Sequence, residues 1–171
     1  MTNYYLKENN IITQSANFKF DKNCLETEEK IVRYDGQLML ASEYSTLQQT
    51  PEYIAEQLAK AKADKLQENI TKRDEYLLAG VVYKDVLFDS DTDQKINLQF
   101  YIPNMNDTDT VIWFGKDNQQ LECTKEDLLA IGGLIGSLTV KVWSVQNPAY
   151  IEQINNAKTI EELNAININY N

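Results

Sequence analysis

The stretch FDSDTDQK, residues 88–95, places Asp89, Asp91 and Asp93 at alternate positions, the spacing of a calcium loop. A helix-loop-helix calcium loop beginning at Asp89 would need glycine at its sixth position for a sharp turn and a bidentate glutamate at its twelfth. Those positions hold Gln94, whose Cβ resists the turn, and Phe100, which cannot ligate a cation. The same residues fit a helix start. Ser90, Asp91 or Thr92 supplies the N-cap, the helix runs through Gln94 to about Tyr101, and the surplus carboxylates sit against the positive end of its dipole. Pro103 is expected to end it.

Immediately upstream, VVYKDVLF reads as a β-hairpin with Lys84-Asp85 near its tip. Downstream, NMNDTDT is a polar loop, and VIWFGKDNQQLECT is a second hairpin with Lys116-Asp117-Asn118 in its turn. Thr124-Lys125-Glu126-Asp127 is a capping box into a strongly apolar helix carrying Leu128, Leu129, Ile131, Leu134, Ile135, Leu138, Val142 and Trp143. Gly132, Gly133 and Gly136 inside it read as a packing notch for another backbone. No GxGxxG or GK[ST] pattern accompanies them to make a phosphate loop. Trp113 and Trp143 are expected to be core anchors. After Asn147-Pro148 the chain resumes as helix through AYIEQINNA. Thr159-Ile160-Glu161-Glu162 opens a short helix ending near Ile166, and the tail INYN is expected to fray.

Residues 52–79 hold no glycine or proline and are rich in Ala, Lys, Glu, Gln and Leu, which predicts one helix of about 42 Å at 1.5 Å per residue. Thr50 is its N-cap, Pro51 its first residue and Gly80 its left-handed stop. Its apolar stripe is thin and changes face, from Ile54, Leu58 and Ala61 to Leu66, Ile70 and Leu77. That drift suggests a connector, or a helix through which copies of the chain associate. Ahead of it, YYL, NIITQ, FKF, KIVRY and QLMLA are short strand-like pieces separated by turn signals at ENN, DKN and Tyr34-Asp35-Gly36. The expected architecture is therefore α+β: a small β-rich module over 1–48, a connector helix over 50–80, and a compact domain of two hairpins packed on helices over 81–171.

Composition narrows the chemistry. The chain of 171 residues has no histidine, which removes the usual general base near neutral pH and the usual transition-metal ligand, and with them the common serine and cysteine triads. Cys24 and Cys123 have no CxxC partner, so two buried or free thiols are expected, consistent with synthesis in a reducing cytoplasm. A net charge of -10 repels phosphate, which argues against nucleic acid as a partner. The N-terminus lacks a signal-peptide pattern, and no segment is expected to reach the ~18 apolar residues of a membrane span. The carboxylate pairs Glu28-Glu29, Glu126-Asp127 and Glu161-Glu162 all fall at element starts, where acid stabilises a helix end or a solvated rim. No catalytic residue, metal ligand or cofactor site is therefore assigned.

The ordered series KRDEYLLAGVVYKDVLFDSDTDQKINL and VIWFGKDNQQLECTKEDLLAIGGLIGSL, followed by a closing amphipathic helix, resembles a small domain of unknown function found in bacteriophage and prophage tail-fibre and baseplate-region proteins. The matching positions are Arg73, Asp74, Gly80, Tyr83, Phe88, Asp91, Gln94 and Ile96, then Trp113, Asp117, Asn118, Thr124 and Asp127. The resemblance covers about residues 60–167. Cys123 departs from it where the family is aliphatic, as does LQFYIPNMND, which is less alanine-rich. The segments YYLKENNIITQ and IVRYDGQLML resemble the leader modules that precede this domain in phage tail proteins. The resemblance implies a structural or attachment role in a virion tail, with other fibre or baseplate proteins as partners, and it carries over no catalytic residue. A tail-assembly chaperone and a calcium-dependent module using Asp89, Asp91 and Asp93 are the alternatives.

Overall fold

In the computed structural model, residues 2–8, 11–17 and 24–171 are described. The expected strand FKF and most of the turns ENN and DKN fall outside them. The fold is α+β, with an N-terminal sheet, a long helix in the middle, and hairpins with helices at the C-terminal end. It divides into two compact units, Met1–Ala59 and Lys60–Asn171.

In the first unit, β1 (Asn3–Glu8), β2 (Ile11–Ala16), β3 (Leu25–Thr27), β4 (Ile31–Tyr34) and β5 (Gln37–Leu40) form one antiparallel sheet in the order β3-β1-β2-β5-β4. The turn between β4 and β5 is the one the sequence predicts. Asp35 (φ 46°) and Gly36 (φ 77°) are both left-handed, as a two-residue hairpin joining Tyr34 to Gln37 requires. A helix the sequence did not announce follows, α1 (Ala41–Leu47). Glu43 accepts the Leu40 N–H at 2.9 Å and Glu29 accepts the Ser42 N–H at 3.0 Å, so acidic side chains start it without a Ser or Asp cap. Tyr34, Tyr44 and Tyr53 meet with ring centroids 5.4–6.2 Å apart. The Tyr34 hydroxyl donates to Glu56 at 3.0 Å, and that bond to a carboxylate pushes its pKa up to about 12.

Helix α2 (Pro51–Leu78) starts with Thr50 Oγ1 accepting the Tyr53 N–H at 3.2 Å, and the division between the units falls inside it. From residue 60 onward it is no free connector. Ala61, Leu66, Tyr76 and Leu77 pack on a core of Val142, Ile154, Ala157, Leu163, Ile168 and Tyr170. Asn69, 1% exposed, donates to Asn147 Oδ1 at 2.9 Å and accepts from the Tyr170 hydroxyl at 2.8 Å. The thin stripe misleads because part of this contact is polar: a buried amide with its hydrogen bonds made replaces an apolar residue.

In the second unit, β6 (Val81–Tyr83) and β7 (Val86–Phe88) form the first hairpin, with Lys84 and Asp85 left-handed at its tip. Asp91 caps α3 (Thr92–Asn104), accepting the Gln94 N–H at 2.8 Å. The helix outlasts the expected stop. Pro103 sits in its last turn, and the Asn104 side chain donates to Phe100 O at 2.7 Å. β8 (Thr110–Phe114) and β9 (Gln120–Thr124) make the second hairpin, and α4 (Lys125–Lys141) opens with the predicted capping box, Thr124 and Asp127 each bonding the other's backbone N–H. Both hairpins, α3 and the first half of α4 enclose a core that includes Phe88, Leu98, Trp113, Leu128, Ile131 and Ile135.

The chain stays helical beyond α4 instead of stopping and resuming. A π-helical turn over Val142–Gln146 leads into α5 (Asn147–Asn156). Five residues of α-helix would set Val142 and Asn147 about 140° apart, whereas one wide π turn brings them towards the same side. Val142 is accordingly in the core and Asn147 against Asn69. The continuous run Lys125–Asn156 contains an 18-residue window of mean hydropathy 1.7, long and apolar enough to cross a membrane by length and composition. By length and composition, this run departs from the expectation that no segment approaches a membrane span.

Helix α6 (Ile160–Asn164) is capped by Thr159, as predicted, and Glu162 reaches back to the Lys158 N–H at 2.6 Å. The tail does not fray. Ile168 and Tyr170 are buried, in keeping with the alternation Ile166, Ile168, Tyr170 along ININY. Trp143 is also unlike its expectation. It is 47% exposed, and the Arg73 guanidinium lies 4.3 Å from its ring centroid.

Gly80 (φ +96°) ends α2 at a point where an added Cβ would clash with the Phe88 carbonyl oxygen. Gly36 is left-handed as well, with nothing within 4 Å of such a Cβ. Gly80→Ala should therefore cost about 2–3 kcal/mol and Gly36→Ala about 1 kcal/mol in urea unfolding, since only the former adds a backbone clash to the φ strain.

Candidate functional site

The three aspartates of residues 88–95 do different jobs. Asp89 Oδ1 is 3.7 Å from Lys116 Nζ, Asp91 is the N-cap of α3, and Asp93 lies in that helix's first turn. Among the described residues no three acidic or cysteine side chains gather as a metal would require. Asp91→Ala should lower stability by about 1 kcal/mol through loss of the cap. Calorimetric titration of calcium, by contrast, should give no binding heat that Asp91→Ala abolishes.

The densest polar cluster centres on Asp127, which the sequence marked only as part of a capping box. Its Oδ1 accepts from Lys84 Nζ at 2.7 Å and from the Tyr83 hydroxyl at 2.8 Å, while its Oδ2 accepts the Thr124 N–H and hydroxyl, each at 2.9 Å. The turn at Lys84-Asp85 thus pins the first hairpin to the start of α4. The Lys84 ammonium and these hydrogen bonds hold the Asp127 carboxyl well below its usual range, and Asp127 in turn raises both Tyr83 and Lys84. Beside them burial pushes the Cys123 thiol up.

Each of these shifts runs against catalysis at this cluster. A nucleophilic lysine needs a depressed pKa, a reactive cysteine needs an exposed thiolate, and a general base needs a pKa near neutrality. The cluster is a structural clasp. Asp127 titrates at lower pH folded than unfolded, so its contribution is whole above about pH 5 and decays as acid protonates the carboxylate. Asp127→Asn should cost about 2 kcal/mol at neutral pH, and the difference in urea-unfolding stability should begin to shrink only below about pH 4, as the unfolded carboxyl protonates, and close only at still lower pH.

Two hollows lie open beside α3 on this unit. One, of about 440 Å³, lies between α3 and α4 and is lined by Leu98, Gln99, Ile135, Thr139, Val140 and the glycines 132 and 136. The expected packing notch is filled only in part: Leu98 reaches 4.0 Å from a Cβ built on Gly132, while Gly133 and Gly136 have nothing within 4 Å. Leu129, Val140 and Trp143 are exposed along the same side of the helix.

The other hollow, of about 410 Å³, runs between α3 and β8. Gln94, Asn97 and Tyr101 recur at helical spacing to form one wall, and Val111 through Phe114 form the other. Tyr101, Ile112 and Phe114 are about half exposed, while Trp113 is 8% exposed and meets Tyr101 edge to face at 5.1 Å. Gln94 Nε2 and Trp113 Nε1 are buried donors without a hydrogen-bond partner. Sequence reasoning singled out Gln94 and Trp113 individually, as a failed calcium position and a core anchor. Only the fold brings them to one cleft.

By fold, residues 60–171 form a compact α+β domain of two hairpins packed on helices, with open hollows on its surface. The chain belongs to the family described as Domain of unknown function (DUF4376), whose model matches residues 60–167. The match begins within α2, at the residue where the second unit begins. No curated protein and no solved structure matches the chain.

Proposed function

We propose that the protein is a structural or attachment component of a phage or phage-like tail, at the junction of baseplate and tail fibre, and that it acts by binding other tail proteins. The observation that carries the protein-binding part is the uncovered apolar surface of the second unit. Leu129 and Val140 on α4 and Trp143 in the π-helical turn that follows it, with Tyr101, Ile112 and Phe114 around the α3–β8 cleft, are all two-fifths exposed or more. Clustered exposed apolar residues mark interaction surfaces. The tail assignment is supported by the resemblance of the ordered residues Arg73 to Asp127 to tail-fibre and baseplate-region proteins.

The Asp127 cluster favours this reading over an enzymatic one, since its charges are spent on holding a hairpin to a helix. Virion localisation after synthesis in the bacterial cytoplasm, and association of copies through residues 52–79, belong to the same proposal. The test is mass spectrometry of purified particles together with light scattering of the isolated protein. Presence in the particle, and an oligomer or a defined complex with a fibre or baseplate protein, is the expected result. Leu129→Lys combined with Val140→Lys should weaken that complex at least tenfold without changing the unfolding midpoint by more than a few degrees. Absence from the particle, with binding to tail proteins retained during assembly, would move the protein to an assembly chaperone. Absence from both overturns the proposal.

A further inference from the structure

The α3–β8 cleft is lined by four consecutive residues of one strand, Val111 to Phe114. Successive strand residues point to opposite faces, so a hollow that touches all four runs along the edge of the strand and not over one face. Among the described residues β8 is hydrogen-bonded only to β9, in a two-stranded sheet. Its other edge is what the cleft exposes.

The hairpin's own bonding fixes which groups lie there. The Gly115 N–H donates to Gln119 O at 2.7 Å. Antiparallel alternation then puts Trp113 with Leu121 and Val111 with Cys123 in the mutually bonded pairs, and turns the N–H and C=O of Ile112 and Phe114 towards the open edge. Among the described residues, a backbone bond from outside the hairpin arrives only past the strand's end, where the Lys116 N–H meets Leu87 O at 2.7 Å. The cleft therefore presents a short row of unpaired backbone groups, flanked by two side-chain donors, Gln94 Nε2 and Trp113 Nε1, that also lack partners. A buried donor of this kind is costly until an acceptor reaches it.

We propose that this cleft binds an extended segment of a partner protein, which adds as a third strand to β8 and lies against α3. The proposal deepens the protein-binding reading and does not depend on the partner being a tail protein. A β-strand presents carbonyl acceptors along one edge, which suits both the Ile112 and Phe114 N–H groups and the orphan side-chain donors. The lining side chains Gln94, Asn97, Tyr101, Ile112, Trp113 and Phe114 are all uncharged, on a chain of net charge -10. The segment is thus uncharged or basic, with apolar residues at alternate positions, and β8 offers it five residues, or about 17 Å. A second copy of this chain fits less well, since each copy carries α3 along the very edge that the other must reach and the two repel by charge.

The test is selection from a random nonapeptide library against the purified full chain, followed by amide hydrogen exchange by NMR with the enriched peptide. The expected binders alternate apolar residues and lack acidic ones, and they slow exchange at Ile112 and Phe114 by about tenfold or more. Ile112→Pro removes one outward N–H while leaving the β9 ladder intact, as proline at a free edge does, and should abolish binding. If that variant unfolds, Gln94→Leu serves instead, with at least a tenfold weaker peptide and an unchanged unfolding midpoint. Failure to select any binder, binders that perturb the α4 groove in place of Ile112 and Phe114, or protection of those amides by self-association without peptide each overturns the proposal. These outcomes concern the isolated chain, so they leave the tail assignment to stand or fall on the particle analysis.

Discussion

A buried primary amide has four hydrogen-bonding positions to satisfy, and Asn69 satisfies its principal ones only where α2, α5 and the C-terminal tail come together. With Asn69 1% exposed, Asn147 Oδ1 at 2.9 Å and the Tyr170 hydroxyl at 2.8 Å, displacing any of the three elements would strand a polar group away from water. The register of the second half of α2, the burial of the tail, and the side of the rod on which Asn147 emerges are all set by that requirement. The π turn before Asn147 makes it geometrically possible. Tyr170 reinforces it: burial raises its pKa, so its hydroxyl keeps the proton it donates to Asn69.

Asp127 plays the corresponding part at the other end of the unit. It closes the capping box of α4 and holds the turn of the first hairpin through Lys84 and Tyr83. Helix α4 thereby belongs to both cores, with Leu128, Ile131 and Ile135 in one and Leu138 and Val142 against the other. A helix used on two sides in this way keeps its remaining face apolar and open, with Leu129, Val140 and Trp143 exposed. The rigid frame and the open apolar surface are consequences of one arrangement, and that combination suits a molecule that holds other molecules in place.

What could be read in the sequence was local. Thr124 and Thr159 were recognisable as caps and Asp91 as one of three candidates with Ser90 and Thr92, and the turns at Asp35-Gly36, Lys84-Asp85 and Lys116-Asp117-Asn118 as turns. Each of these is decided by groups within three or four residues of one another. The rejection of the calcium loop was legible for the same reason, because Gln94 and Phe100 fail at fixed offsets. Helix α1 was missed because its start relies on Glu29, which reaches Ser42 from before β4. The alternation at Ile166, Ile168 and Tyr170 was a readable sign of burial, outweighed by its place at the chain end.

By itself, then, the sequence determined the order and type of most elements and where the capped helices and tight hairpin turns begin, since propensity, capping and periodicity act over a single turn or hairpin. Only the tertiary structure decided that residues 60–78 belong to the C-terminal unit, that Asp127 is a clasp, that Trp143 lies outside and Tyr170 inside, and that Gln94 and Trp113 share a cleft. Those outcomes rest on hydrogen bonds and contacts between residues tens of positions apart, such as Asn69 with Tyr170 and Lys84 with Asp127. No local pattern encodes such partners, because what selects them is the cost of leaving a buried polar group unpaired once the chain has packed.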